Sequence, residues 1–353
     1  AMLMILISAL STYACSLREN TRNSEKSGDN TGFSTVRESD RLTASFFAFD
    51  TYMKITVYED ENGPVDESDL QSLADEALRL EKIFSTTDKE SEIYRFNNRV
   101  ADRVTVSEEA ISLFDRTKEI YERTDGALDA TAYPLVKAWG FTTGNHRIPS
   151  EAELKELLVN VGMEKIRTEG NELIAGKGTE LDFGATAKGY LSDVLAKMLK
   201  DMGAEHAMLD LGGNIEVIGT KADGSKWNIG IKDPKNDAGI IGYVSVSNAA
   251  VVTSGGYERY FTDDAGNVYW HILDPATGSP ARADVISATV IGEDATLCDA
   301  LSTAFFVMGA AGAADYYETY GGIEYILVME DGSRIVSEGL NETFTAVDSS
   351  AVE

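Results

Sequence analysis

Apolar and polar residues alternate roughly in period two from Phe46 to Tyr58, which predicts a strand. Further on, Leu70, Leu73, Ala77, Leu80 and Phe84 recur at three- and four-residue intervals, so Glu67–Phe84 reads as an amphipathic helix. Ile111, Phe114, Lys118 and Tyr121 mark a second helix, ended near Gly126. Ser150 and Glu153 have capping-box spacing and open a third, closed at Gly162. Thr186–Met202 reads as a fourth, followed by Gly203. Strands are expected at Ala207–Leu211, Trp227–Ile231, Ile241–Val246, Val268–Leu273 and Val285–Ile291. Asp294–Met308 reads as helical, then a shorter helix near Ala313–Tyr320, then a strand at Glu324–Val328. The mixed order, with hairpins late in the chain, is an α+β pattern and not a regular βαβ alternation. No internal repeat and no linker appear after residue 45. The expectation is one domain over residues 45–345, a mixed and antiparallel sheet packed with helices.

Upstream the pattern fades. Residues 16–44 are rich in Ser, Asn, Thr, Arg and Glu and read as a flexible tether. The apolar run Met2–Leu10 is too short to span a bilayer. With the small residues up to Ala14 and then Cys15, segment 1–15 resembles the tail of a bacterial lipoprotein signal, in which the cysteine is lipidated. That predicts an exported protein, anchored on the outer face of the cytoplasmic membrane or in the periplasm.

Composition narrows the function. Of 353 residues 43% are apolar, ample for a core, and the net charge is -28. Such a charge argues against a broad basic face for nucleic acid. It also means that an anionic ligand needs a local cation, so a metal site is worth seeking. The chain has two cysteines, which imply no disulfide framework; Cys298 lies in an apolar stretch and reads as a buried hydrophobe.

Several segments could carry chemistry. Thr124–Asp129 sets two acids around a glycine turn, which could equally be a helix cap. Leu181–Tyr190 runs from a short strand through a glycine turn into a helix, whose N–H groups and Lys188 could face a phosphate. It is neither a Walker loop nor a GxGxxG fingerprint. Leu211–Asn214 and Thr253–Arg259 place glycines where backbone could pass close to a ligand, or simply turn. Among three histidines, His271 stands at a strand end with Asp274 three residues on. Asp299 and Thr303 are one helical turn apart, a plausible oxygen pair for a hard cation, or an acid satisfying a helix dipole beside a packed threonine.

Taken in order, these segments closely resemble the ApbE family of FAD:protein FMN transferases. They are Phe49-Asp50-Thr51, Phe84 to Asn97, Thr124 to Asp129 with Pro134-Leu135 and Trp139 to Phe141, Leu181 to Tyr190, Leu211 to Gly213, Thr253 to Gly255, His271 to Gly278, and Asp299 to Thr303. The resemblance covers about residues 45–340. It implies transfer of FMN from FAD, held with Mg²⁺, to a threonine hydroxyl of an acceptor in a membrane redox complex, with release of AMP. It implies metal ligation at Ala185, Asp299 and Thr303 and flavin contacts at Phe49, Thr87, Ala127, Leu128, Asp129, Asp182, Lys188 and Ile272. His271 matches the proposed general base. Phe49-Asp50-Thr51 departs from the family's frequent Met-Gly-Thr, and Thr87 stands where some members have Tyr. FAD pyrophosphatase activity giving FMN and AMP, a non-catalytic flavin-binding lipoprotein, and a purely structural lipoprotein are the alternatives.

Overall fold

A computed structural model describes residues 32–59 and 62–347; the signal segment, Cys15 and most of the tether lie outside the described residues. The backbone forms a nine-stranded sheet in which every neighbouring pair is antiparallel and strand order follows the chain. Its strands are β1 (Ser34–Glu38), β2 (Arg41–Ala48), β3 (Thr51–Val57), β4 (Ala207–Leu211), β5 (Ile215–Ile218), β6 (Ala249–Gly255), β7 (Val285–Gly292), β8 (Glu324–Met329) and β9 (Arg334–Val336). Excursions between strands carry the rest of the fold.

The largest excursion, between β3 and β4, holds helices α1 (Glu67–Phe84), α2 (Glu92–Asn97), α3 (Glu108–Arg123), α4 (Tyr133–Trp139), α5 (Glu151–Leu158) and α6 (Ala187–Asp201). It also holds a small three-stranded sheet of 103–105, 166–169 and 172–175. Helix α7 (Ala295–Tyr320) connects β7 to β8. Leu70, Leu73, Ala77 and Leu80 of α1 bury against Leu42, Ala44 and Phe46 of β2. Asp66 caps α1 with a reciprocal capping box to Asp69. Alpha-7 buries Ala300, Leu301, Ala304 and Phe305 against Ala250, Val252, Ala288 and Val290 of the sheet. It is long and apolar enough to cross a membrane, yet most of that stretch is buried inside the fold. On the opposite sheet face, strands 227–233, 236–246 and 344–346 pair together and bury Trp227, Ile229 and Val244 with Val217, Val251 and Ile326.

Three expectations are corrected. The tether does not extend to residue 44, because residues 34–38 and 41–48 are strands. β1 is a polar, mostly exposed edge strand, so its composition resembles linker. Phe46–Tyr58 is not one strand but β2 and β3, turned at Phe49 and Asp50 with φ of 51° and 57°. Buried apolar positions are 46 and 48 before the turn and 53, 55 and 57 after it, so the alternation slips phase there. The expected pair of terminal helices is present: Ala295–Tyr320 is interrupted at Gly309 (φ 74°, ψ -177°), where Asp284 Oδ1 accepts from the Ala310 N–H at 3.0 Å and caps the second half. The strand from Val268 stops at Trp270, and the following Asp-Pro-Ala-Thr-Gly segment turns back through a Leu273–Pro280 bridge.

Candidate functional site

The site lies where the N-terminal turns of α6 and α7 meet the end of β6. Thr186 precedes α6, and Gly189 lies in its first turn. A side chain there would not fit: a Cβ on Gly189 would sit 2.4 Å from the Ala295 carbonyl oxygen and 2.8 Å from Asp299 Cβ. This close approach lets the Gly189 N–H donate to Asp299 Oδ2 at 2.9 Å. Gly189 is the third residue of α6, where the N–H has no partner within the helix, so Asp299 caps it from α7. Lys188 Nζ stands 3.8 Å from Asp299 Oδ1, and Asp299 is only 3% exposed. One turn on, Ser254 Oγ lies 2.7 Å from Ser302 Oγ and 3.1 Å from Thr303 Oγ1. Ser302 also donates to the Asp299 carbonyl at 2.8 Å.

The second part is the loop after α3. Asp129 Oδ1 accepts from the Thr131 N–H (2.8 Å) and hydroxyl (2.5 Å), and burial pushes its carboxyl up to about 6. The Asp182 N–H donates to the Ala130 carbonyl at 2.8 Å, which sets Asp182 beside this loop. Asp182 accepts from the Gly184 N–H at 2.9 Å; burial raises its pKa, opposed by that bond and by Arg259. Ala127 donates to the Thr124 carbonyl and Leu128 to its hydroxyl, so both follow the helix cap closely. Thr87 lies beside this region, since the Tyr133 hydroxyl reaches the Thr86 carbonyl at 3.5 Å. Phe49 occupies the β2–β3 turn and packs on the first core.

The third part is the segment after β6. His271 is half-buried, and both its N–H and its Nδ1 meet the Arg259 carbonyl, at 3.0 and 3.2 Å. Burial, with Arg259 and Lys188 as neighbouring cations, pushes the imidazole down to about 4. Phe141 meets its ring edge-on at 6.3 Å. Arg259 itself reaches Asp50 in the β2–β3 turn, Nη2 to Oδ2 3.7 Å. The structure therefore joins Lys188, Asp299, Thr303, Asp182 and His271 through one set of neighbours, with Ala185 at the turn before α6. Leu128 and Ile272 differ in kind: both side chains are buried in the core around α7, so any flavin contact there falls to the main chain.

Ser254 and Arg259 were not singled out by sequence. Ser254 stood inside a glycine-bearing segment that reads as a turn, and it is the end of β6. Arg259 shows as a site residue only once the hairpin 260–262/268–270 folds its carbonyl onto His271.

For a hard cation the donors suit: one nearly buried carboxylate with threonine and serine hydroxyls beside it, all oxygens. Among the described residues no group of three or more His, Cys, Asp or Glu side chains is gathered as for a transition metal.

Residues 49–327 match the ApbE family. The FAD:protein FMN transferase of Vibrio cholerae serotype O1 is 34% identical over 258 residues, covering 71% of this chain and 77% of that protein. That of Treponema pallidum is 29% identical and covers 90% and 91%. The crystal structure of the ApbE protein from Thermotoga maritima superposes with a TM-score of 0.78 at 34% identity, covering 87% of this chain and 97% of that one. The apo flavinyl transferase ApbE of Pseudomonas stutzeri gives a TM-score of 0.78 at 26% identity, covering 91% and 100%.

Proposed function

The chain belongs to the ApbE family and is a FAD:protein FMN transferase, and from that premise we propose a Mg²⁺-dependent transfer to a threonine hydroxyl of a membrane redox protein, with AMP as leaving group. The observation that supports this reading is the oxygen-lined junction of Asp299, Ser254, Ser302 and Thr303 at the start of α6, together with a histidine whose Nδ1 is already engaged. Asp299, Thr303 and the Ala185 carbonyl would hold Mg²⁺. When bound, the cation would lessen the negative charge of the diphosphate, which an enzyme of net charge -28 must otherwise bear.

The chain's own groups do the rest. Lys188 at the start of α6 faces the phosphates, while the N–H groups of Ala187 and Gly189 are taken by the Phe183 carbonyl and Asp299. Asp129, Asp182, Phe49 and Thr87 border the flavin side. The Arg259 carbonyl keeps the His271 proton on Nδ1, so Nε2 is the basic atom. The acceptor oxygen attacks the phosphorus on the FMN side, and its proton passes to Nε2. The P–O bond to the AMP phosphate breaks, and a phosphoester to FMN forms.

Mass spectrometry of a candidate acceptor domain after incubation with the protein, FAD and Mg²⁺ tests the reading. It expects the added mass of one FMN and stoichiometric AMP. AMP without the added mass would make the protein a pyrophosphatase, and neither product would overturn the reading. Export and a lipid on Cys15 belong to the same proposal; radiolabelled fatty acid incorporated by the parent and not by a Cys15→Ser chain is the expected result.

A further inference from the structure

The reading above leaves one cation at the site without a task. Arg259 is 60% exposed at its side chain, and its pairing with Asp50, itself 81% exposed, is at 3.7 Å. An exposed pair at that separation is worth little, so it does not account for a guanidinium at this point. Lys188, by contrast, is drawn 3.8 Å from the nearly buried Asp299, so its charge is already partly balanced. The diphosphate of FAD carries two charges, and the whole protein repels it. Arg259 is near enough to act electrostatically on both Asp182 and His271. Its carbonyl is anchored by His271, so the head group starts from a fixed point beside the base. A guanidinium matches phosphate oxygens with two parallel N–H donors, better than it matches a distant solvated carboxylate.

We propose that Arg259 leaves Asp50 and grips the diphosphate of bound FAD, alongside Lys188, as a further catalytic residue of the transfer. This rests on the transferase reading. The cation then sits where negative charge grows on the phosphoryl oxygens while His271 Nε2 takes the acceptor proton.

The test compares FAD with riboflavin, which lacks the diphosphate, by flavin fluorescence titration in Mg²⁺ buffer. Arg259→Gln should raise the Kd for FAD about 10- to 100-fold and leave riboflavin within about twofold. Arg259→Lys should fall between, which also guards against a misfolded variant. Asp50→Asn, which removes the competing carboxylate, should bind FAD as well as the parent or better. Equal losses for FAD and riboflavin, unchanged FAD binding in Arg259→Gln, or an Asp50→Asn loss matching that of Arg259→Gln would each overturn the role of Arg259. A parent protein that binds no FAD would instead overturn the transferase reading, and this one with it.

Discussion

His271 works, on this reading, because a main-chain oxygen selects its tautomer. The Arg259 carbonyl occupies Nδ1, and burial keeps the ring neutral down to about pH 4. The sign follows: a histidine with lowered pKa is a competent base above that pKa and is lost as pH falls through it. The acid limb of kcat/KM for FMN transfer should therefore fall near pH 4 and not near the 6.5 of a solvated imidazole. His271→Ala should keep FAD binding and lose about 100- to 10,000-fold in transfer rate, read from the time course of acceptor mass gain. An acid limb at 6.5 in the parent, or a parental rate in His271→Ala, would remove the base assignment. Asp299→Asn keeps an acceptor for the Gly189 N–H and removes only the charge. It should need far more Mg²⁺ for half-maximal turnover; a parental Mg²⁺ titration would reject Asp299 as ligand. At this scale the sequence was generous where residue type limits chemistry. Three histidines leave few options for a base, and of the Asp-x-x-x-Thr spacings at 182/186, 299/303 and 315/319 only the second lies in the apolar stretch 295–308. From the sequence Arg259 figured only as the end of the glycine-bearing segment Thr253–Arg259, since an arginine near a hairpin has many solvated uses and its role depends on a carbonyl that folding brings across 12 residues.

Among the elements, α6 and α7 depend on one missing side chain. Gly189→Ala would force its Cβ into the Ala295 carbonyl and Asp299 Cβ. Backbone cannot yield there as a flexible side chain could, so the helices must part. Overpacking of this kind costs about 1–3 kcal/mol. The expected result is a lower midpoint in urea together with weaker Mg²⁺ dependence, because the displaced residue is the proposed ligand. Parental stability and activity would show that the helices have room to shift. Helix periodicity made α1, α3 and α6 legible beforehand, since each buries one apolar stripe, whereas α7 is legible as a long apolar run, buried on nearly all sides over its first half. The short α2 and α4 were missed, with six and seven residues that give less than two turns of pattern. So were β5 and β6, where buried positions adjoin on both faces and the alternation disappears.

For the whole molecule, charge sets the terms of ligand binding. A chain of net charge -28 repels a dinucleotide, so FAD and Mg²⁺ should bind together or poorly. Ligand that binds only the folded state stabilises it by about 2.7 kcal/mol at 100 times its Kd. The melting temperature should therefore rise with FAD plus Mg²⁺ and far less with FAD plus EDTA; equal shifts would argue against a shared site. The α+β class was legible from element order. The sheet's simple meander was not, because its neighbours β3 and β4 are separated by the whole helical excursion.

That separation has a consequence in time. Bringing Val57 and Ala207 together closes a loop of about 150 residues, an entropic cost near 4 kcal/mol by the logarithmic law, and one recovered only after the intervening helices have condensed. Lys188 emerges before His271, and Asp299 after both. A nascent chain therefore cannot hold flavin until its last third has been made, and the first appearance of quenched flavin fluorescence during refolding would date the closure of the sheet.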